Sequence, residues 1–199
     1  PPIWKWGTPE LKESLVADVI AGKKISALAI TEASGGSDVA NLKTRAVKEG
    51  DHYLVNGSKT FITSGIRADY YTVAVRTGGE GYGGISLLMI EKGTPGFTTG
   101  KKLNKMGWWA SDTAELFFDD CKVPIKNLIG PENMGFVAIM SNFEMERLSL
   151  CVMANTTAEV AFEECMKYVR QREAFGRPIG KFQTIKHKLA EMATQIEAS

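Results

Sequence analysis

In the stretch Lys24 to Asp38, KISALAITEASGGSD, an apolar run of strand-forming residues from Ile25 to Thr31 breaks into a small-residue loop, Ala33 to Asp38. Gly35 and Gly36 carry no Cβ, so their N–H groups can lie against a planar ring or a phosphate without a steric penalty. Ser37 and Asp38 add a hydroxyl and a carboxylate to the same rim. Taken alone, such a loop reads first as a turn between strands. A second group, Arg172 to Gly176 (REAFG), offers a guanidinium fork that suits phosphate oxygens. Taken alone, it is equally a helix end with a glycine cap.

Three kinds of pattern must position these groups. Leu11, Leu15, Val16, Val19 and Ile20 recur at helical spacing and predict a helix over Pro9 to Ala21, with Gly22 ending it. From Lys23 to about Asn127 the chain changes to short β runs: Ile25 to Ile30, Leu42 to Lys48, His52 to Val55, Thr60 to Thr63, Tyr70 to Val75, Ile85 to Glu91 and Ala114 to Phe118. Turn signals fall between them at Glu49-Gly50-Asp51, Asn56-Gly57, Gly78-Gly79, Pro95-Gly96 and Asp119-Asp120. Many short strands at this spacing predict a sandwich or barrel. After Gly130-Pro131-Glu132 the period turns helical, through Phe136, Ile139, Met140, Phe143, Leu148, Cys151 and Val152 and on to Ile185, Leu189, Met192 and Ile196. Pro131 is expected in the first turn of that helix.

The resulting fold class is α+β. It has the end of an N-terminal helical domain over 1–22, a central antiparallel β-barrel or sandwich domain over 23–127, and the start of a C-terminal helical domain over 128–199. Lys186 to Ser199 keeps its helical pattern to the last residue without a stop signal, so the chain is expected to be a piece of a longer protein.

Composition narrows the function classes. The chain has 199 residues, 44% of them hydrophobic, enough for one large or two small cores. A net charge of +1, from 24 basic and 23 acidic side chains, gives no electrostatic case for nucleic acid. No apolar run reaches the ~20 residues that span a bilayer, and no basic segment followed by an apolar one opens the chain, so a soluble protein without a visible targeting segment is expected. Cys121, Cys151 and Cys165 have no metal-ligand spacing and are read as buried or idle thiols in a reducing compartment. His52 and His187 stand too far apart in sequence to argue for a metal.

The order of these motifs resembles the acyl-CoA dehydrogenase family over nearly the whole chain. An apolar strand ends at Thr31-Glu32; Gly36-Ser37-Asp38 follows, then Asn56-Gly57 with Lys59 to Ser64 (KTFITS), and later REAFG. The resemblance implies FAD as cofactor. Leu28, Ile30, Thr31, Gly36 and Ser37 would lie along the flavin, with Ile30 and Thr31 facing the ring. Phe61, Ile62 and Thr63 would form a second flavin segment; Phe61 stands where many relatives have Trp, and by itself reads as an ordinary core aromatic. Arg172, Phe175 and Gln183 would contact the FAD of a neighbouring subunit, which implies a homo-oligomer, a tetramer or dimer.

The same resemblance implies α,β-dehydrogenation of an acyl-CoA thioester to the trans-2-enoyl-CoA, in fatty-acid or branched-chain amino-acid breakdown. Glu146 matches the catalytic base of long-chain and isovaleryl-type members, while other members place the base further along, past this chain's last residue. Met145 and Leu148 are expected to desolvate Glu146 and raise its pKa; the plainer reading pairs it with Arg147 or a lysine on a helix surface. Ser37, Val137, Glu144 and Arg147 match substrate-side positions, Arg147 toward CoA. Electron-transferring flavoprotein is the implied re-oxidant, and the bacterial cytoplasm or the mitochondrial matrix the implied compartment. Two alternatives stand beside this reading: a flavin monooxygenase or nitroalkane oxidase of the same fold, and a non-catalytic fragment or binding module. Trp108-Trp109, where relatives carry basic or small residues, is open between a domain contact and an exposed surface.

Overall fold

The computed structural model describes residues 2–199; of the stretch 1–22, Pro1 lies outside the described residues. The chain divides into two compact units, Pro1–Asn142 and Phe143–Ser199.

The first unit opens with α1 (Pro2–Trp6) and α2 (Pro9–Ile20). The Thr8 hydroxyl caps α2 by accepting the Leu11 N–H, Pro9 fills the first turn, and Leu11 and Leu15 are buried. Gly22, at φ 68°, turns the chain out of the helix as expected.

Eight strands follow: β1 (Ser26–Ala29), β2 (Arg45–Glu49), β3 (His52–Thr63), β4 (Tyr70–Arg76), β5 (Ile85–Glu91), β6 (Phe97–Thr99), β7 (Thr113–Pro124) and β8 (Leu128–Ile129). They form one sheet in the order β6-β7-β3-β2-β4-β5-β8, with β1 pairing β4 in parallel. All other pairings are antiparallel except a short parallel bridge of β2 to β4 at Arg45 and Arg76. A single buried cluster joins Tyr53 and Val55 of β3 and Leu116 and Phe118 of β7 to Tyr71 and Val73 of β4 and Leu88 and Ile90 of β5. The sheet therefore rolls around its own apolar face, as in a barrel.

Two turn signals prove to be bulges inside strands. His52 to Val55 and Thr60 to Thr63 are both parts of β3, which runs through Asn56-Gly57, and Asp119-Asp120 lies within β7. They face each other: the Asn56 side chain donates to Asp120 Oδ1 at 3.0 Å and accepts the Asp120 N–H at 2.9 Å. The register between β3 and β7 slips there, between Val55 and Gly57, and again between Lys59 and Ile62. At Gly57, φ is 144° and a Cβ would sit 2.7 Å from Thr44 Cα. Gly57→Ala is accordingly expected to cost about 1–3 kcal/mol, measured as a shift of the urea midpoint at constant m-value.

Pro131 is not in a helix. It begins a turn closed by Met134 N–H to its carbonyl, and Asn133, at φ 65°, is tied by its N–H to Ser86 Oγ at 2.8 Å. That left-handed residue breaks any helical run, so α3 starts only at Gly135 and continues to Gln171. The division between the units falls within α3.

The second unit holds most of α3, a hairpin of β9 (Glu173–Ala174) and β10 (Arg177–Pro178), and α4 (Gln183–Ala198). REAFG is thus not a capped helix end: Phe175 and Gly176, at φ 54° and 74°, form the two-residue turn of the hairpin.

Candidate active site

In the first unit, the chain leaves β1 and crosses β3 at the second bulge. The Thr60 N–H donates to the Thr31 carbonyl at 2.9 Å, joining the two segments that the sequence motifs single out. Gly36 packs on Thr31: a Cβ there would lie 3.1 Å from Thr31 Cγ2. Gly36, Ser37 and Thr63 are exposed, Leu28 and Thr31 half-buried, and Ile30 and Ile62 lie behind the surface with their side chains in the interior.

Phe61 is not a core aromatic. Strand alternation inward through Tyr53, Val55 and Lys59 would bury it, but the bulge buries Ile62 instead and leaves Phe61 67% exposed at φ 58°. A bulky residue in the left-handed region costs roughly 1–2 kcal/mol, and here no burial offsets it. An exposed, strained aromatic beside a small-residue loop has the character of a ligand platform. Phe61→Gly is expected to leave stability unchanged or raise it by about 1 kcal/mol, read by denaturant unfolding, while weakening any ring stacked there by about two- to tenfold.

Two residues that sequence reasoning passed over hold this surface. Lys59, with its side chain at 0% exposure, donates to Glu32 Oε1 at 2.8 Å and to the Ile30 carbonyl at 3.0 Å. Glu32, at 6%, also accepts the backbone N–H of Lys43 at 2.6 Å and of Thr44 at 2.9 Å. Burial pushes the Lys59 ammonium down to about 8 against the pull of Glu32. Burial also pushes the Glu32 carboxyl up, but the Lys59 charge and the donors at Lys43 and Thr44 more than offset this and hold it below its ordinary value. Both residues stand inside the motifs quoted above, yet a charged side chain in sequence reads as surface.

Val137, on the first turns of α3, is exposed. Trp108 and Trp109 are also exposed, Trp109 anchored by its indole N–H to the Lys105 carbonyl at 2.8 Å.

In the second unit, Glu144, Glu146 and Arg147 are exposed along α3, and the Arg147 guanidinium lies 6.0 Å from the Phe143 ring centre. Met145 and Leu148 do not desolvate Glu146 there. Both are themselves exposed, and neighbours one and two positions away on a helix point to other faces.

Arg172 follows α3 directly; its N–H donates to the Tyr168 carbonyl and its own carbonyl accepts the Ile179 N–H, both at 2.8 Å. Phe175 projects from the hairpin turn at 94% exposure, edge-on to Phe182 with ring centres 5.9 Å apart. The Arg177 guanidinium covers Phe182 at 4.3 Å, and Gln183 is the next residue, opening α4. Arg172, Phe175 and Gln183 thus gather on one hairpin and the helix start after it.

Other groups show no site of their own. Cys121 is buried in β7, where burial pushes its thiol up to about 11, whereas Cys151 and Cys165 are exposed on α3 rather than buried. Among the described residues no cluster of His, Cys, Asp and Glu could hold a metal ion, and no helix is long and apolar enough to cross a membrane.

The fold, an antiparallel-dominated sheet followed in sequence by helices, is shared with known proteins. The pattern of the acyl-CoA dehydrogenase middle domain matches residues 27–121, and that of the acyl-CoA dehydrogenase C-terminal domain matches residues 133–199. The chain is 45% identical to the mitochondrial long-chain specific acyl-CoA dehydrogenase of Rattus norvegicus, over 98% of this chain and 46% of that protein. It is 43% identical to the short-chain specific acyl-CoA dehydrogenase of Megasphaera elsdenii, over 100% of this chain and 52% of that protein. The crystal structure of a probable acyl-CoA dehydrogenase from Mycobacterium abscessus superposes with a TM-score of 0.97 at 56% identity, covering all of this chain and 53% of that one. The chain belongs to the acyl-CoA dehydrogenase family, and it spans about half the length of the relatives it matches.

Proposed function

We propose that the protein carrying this chain is an FAD-dependent dehydrogenase that converts an acyl-CoA thioester to the trans-2-enoyl-CoA, in fatty-acid or branched-chain amino-acid breakdown. The observation that carries the reading is Phe61, strained and exposed beside the Gly36-Ser37 loop. Bulk apolar surface held out of the core at a conformational cost fits a planar ring. The residues present suit the cofactor. Thr31, Gly36, Ser37, Phe61 and Thr63 present small or stacking groups at one surface, with Leu28, Ile30 and Ile62 at its edge and behind it. Arg172, Phe175 and Gln183 offer a guanidinium fork, an exposed ring and an amide to a dinucleotide, by family resemblance that of a neighbouring subunit. FAD, when bound, supplies the hydride acceptor.

Glu146 is the base that takes the thioester α-proton, and Glu144, Arg147, Ser37 and Val137 hold the substrate, Arg147 at the CoA end. An α-proton beside a thioester is weakly acidic, so the carboxylate must work where water is excluded. In the second unit alone Met145 and Leu148 do not exclude it, and that wall must come from other groups. The reading extends to homo-oligomeric assembly, to electron-transferring flavoprotein as re-oxidant, and to the bacterial cytoplasm or mitochondrial matrix.

The acyl chain is an open variable, since the similar proteins named above include long-chain and short-chain specific members. One experiment tests the reading: anaerobic titration of the purified protein, supplied with FAD, with acyl-CoAs of graded length. Bleaching of the flavin band by one length class is expected. A yellow protein that no acyl-CoA bleaches would favour oxygen-using chemistry on the same fold, and a protein that takes up no FAD would favour a binding module.

A further inference from the structure

We propose that Lys59 and Glu32 are positioning residues of the candidate flavin surface, their buried ion pair setting the bulge that turns Phe61 outward and holding the Ile30–Glu32 segment beside it. The inference rests on the flavin reading above.

Lys59 occupies an inward position of β3, where an apolar side chain would fill the volume without surrendering hydration. What the ammonium adds is direction. Both of its acceptors, the Ile30 carbonyl and Glu32 Oε1, lie in the segment that follows β1. Glu32 in turn is fixed by two backbone donors, Lys43 and Thr44, of the chain entering β2. The pair therefore ties three separate stretches to one point, and that point is the last residue before the register slip. From there Thr60 N–H reaches Thr31 O, and the next residue is Phe61. A ring placed by a strained backbone turns with any relaxation of that backbone, so a directional clamp immediately before it governs its orientation. Neither Lys59 nor Glu32 reaches the surface, which makes both positioning rather than catalytic residues.

The test compares wild type with Lys59→Met/Glu32→Gln, which removes both charges and leaves none buried alone. Flavin affinity by fluorescence quenching, the visible flavin band, kcat, KM and cooperative thermal unfolding are read on both. The expected result is a folded protein that binds FAD about tenfold or more weakly, with an altered band, and whose kcat falls about 100-fold while KM stays near the wild-type value. A folded double variant with wild-type flavin affinity, band and kcat would overturn the inference and leave the flavin reading standing. A double variant that does not fold would also overturn it, because the pair would then be a strut of the fold. Wild-type protein that takes up no FAD would overturn both.

Discussion

Glu146→Gln is expected to give a protein that still binds flavin and acyl-CoA but whose flavin is reduced by substrate at a rate lower by about 10²–10⁴-fold. The amide keeps the size and most hydrogen-bonding reach of the carboxylate and loses the ability to accept a proton. Glu146 is exposed in its own unit, so the substitution is expected to change stability by no more than about 0.5 kcal/mol, and a loss of rate cannot be assigned to misfolding. Stopped-flow decay of the flavin band after mixing with acyl-CoA measures the effect. A variant reduced at the wild-type rate would move the base to another residue.

The second large effect is on stability. Lys59→Met leaves the Glu32 carboxylate buried with only its backbone donors, and removing one member of a buried pair costs about 3–5 kcal/mol. For a chain of this length that lowers Tm by roughly 6–20 °C, if unfolding is followed in the first unit by circular dichroism.

The pH dependence flattens as well. In wild type the folded pKa of Glu32 lies below its ordinary value, so its contribution is present above about pH 4.3 and is lost as pH falls through the folded value. Lys59, near 8 when folded, releases its proton before the unfolded chain does, so stability rises with pH between about 8 and the ordinary lysine value of about 10.4. In Lys59→Met the alkaline rise disappears. Without the Lys59 charge less offsets burial at Glu32, so its folded pKa moves up from the wild-type position and the loss of stability in acid becomes smaller. Thermal melts across pH 3–10, within the range of carboxyl and lysine titration, separate the two profiles.

Where local pattern and fold agree, the sequence was readable. β5 is Ile85–Glu91 as the apolar run predicts, and α2 begins at the capped Pro9 and ends near Gly22. The candidate flavin segments were legible as motifs, and the structure brings them side by side at Thr31 and Thr60. What hid was set by partners distant in sequence. Asn56-Gly57 and Asp119-Asp120 have the composition of turns, and only their meeting across β3 and β7 makes them bulges. Pro131 looked like a helix start because nothing local reveals that Ser86 holds Asn133 in a left-handed turn. The inward face of β3 looked interrupted at Lys59 because its counter-charge lies 27 residues earlier. Phe175 was legible by type but not by conformation, since its turn exists only once β9 and β10 pair.

The two register slips in β3 make the interval between them a ruler. Gly57, Ser58 and Lys59 are paired in sequence with Phe118, Phe117 and Leu116, clamped at one end by Asn56 and Asp120 and at the other by Glu32. Strand faces alternate residue by residue, so losing or gaining one residue in that interval would send Lys59 outward and Phe61 inward together. Length variation is therefore barred here even though the interval sits between two turn-like sequences. Insertions belong instead in loops such as the one at Gly79–Gly83, where no strand has to keep count.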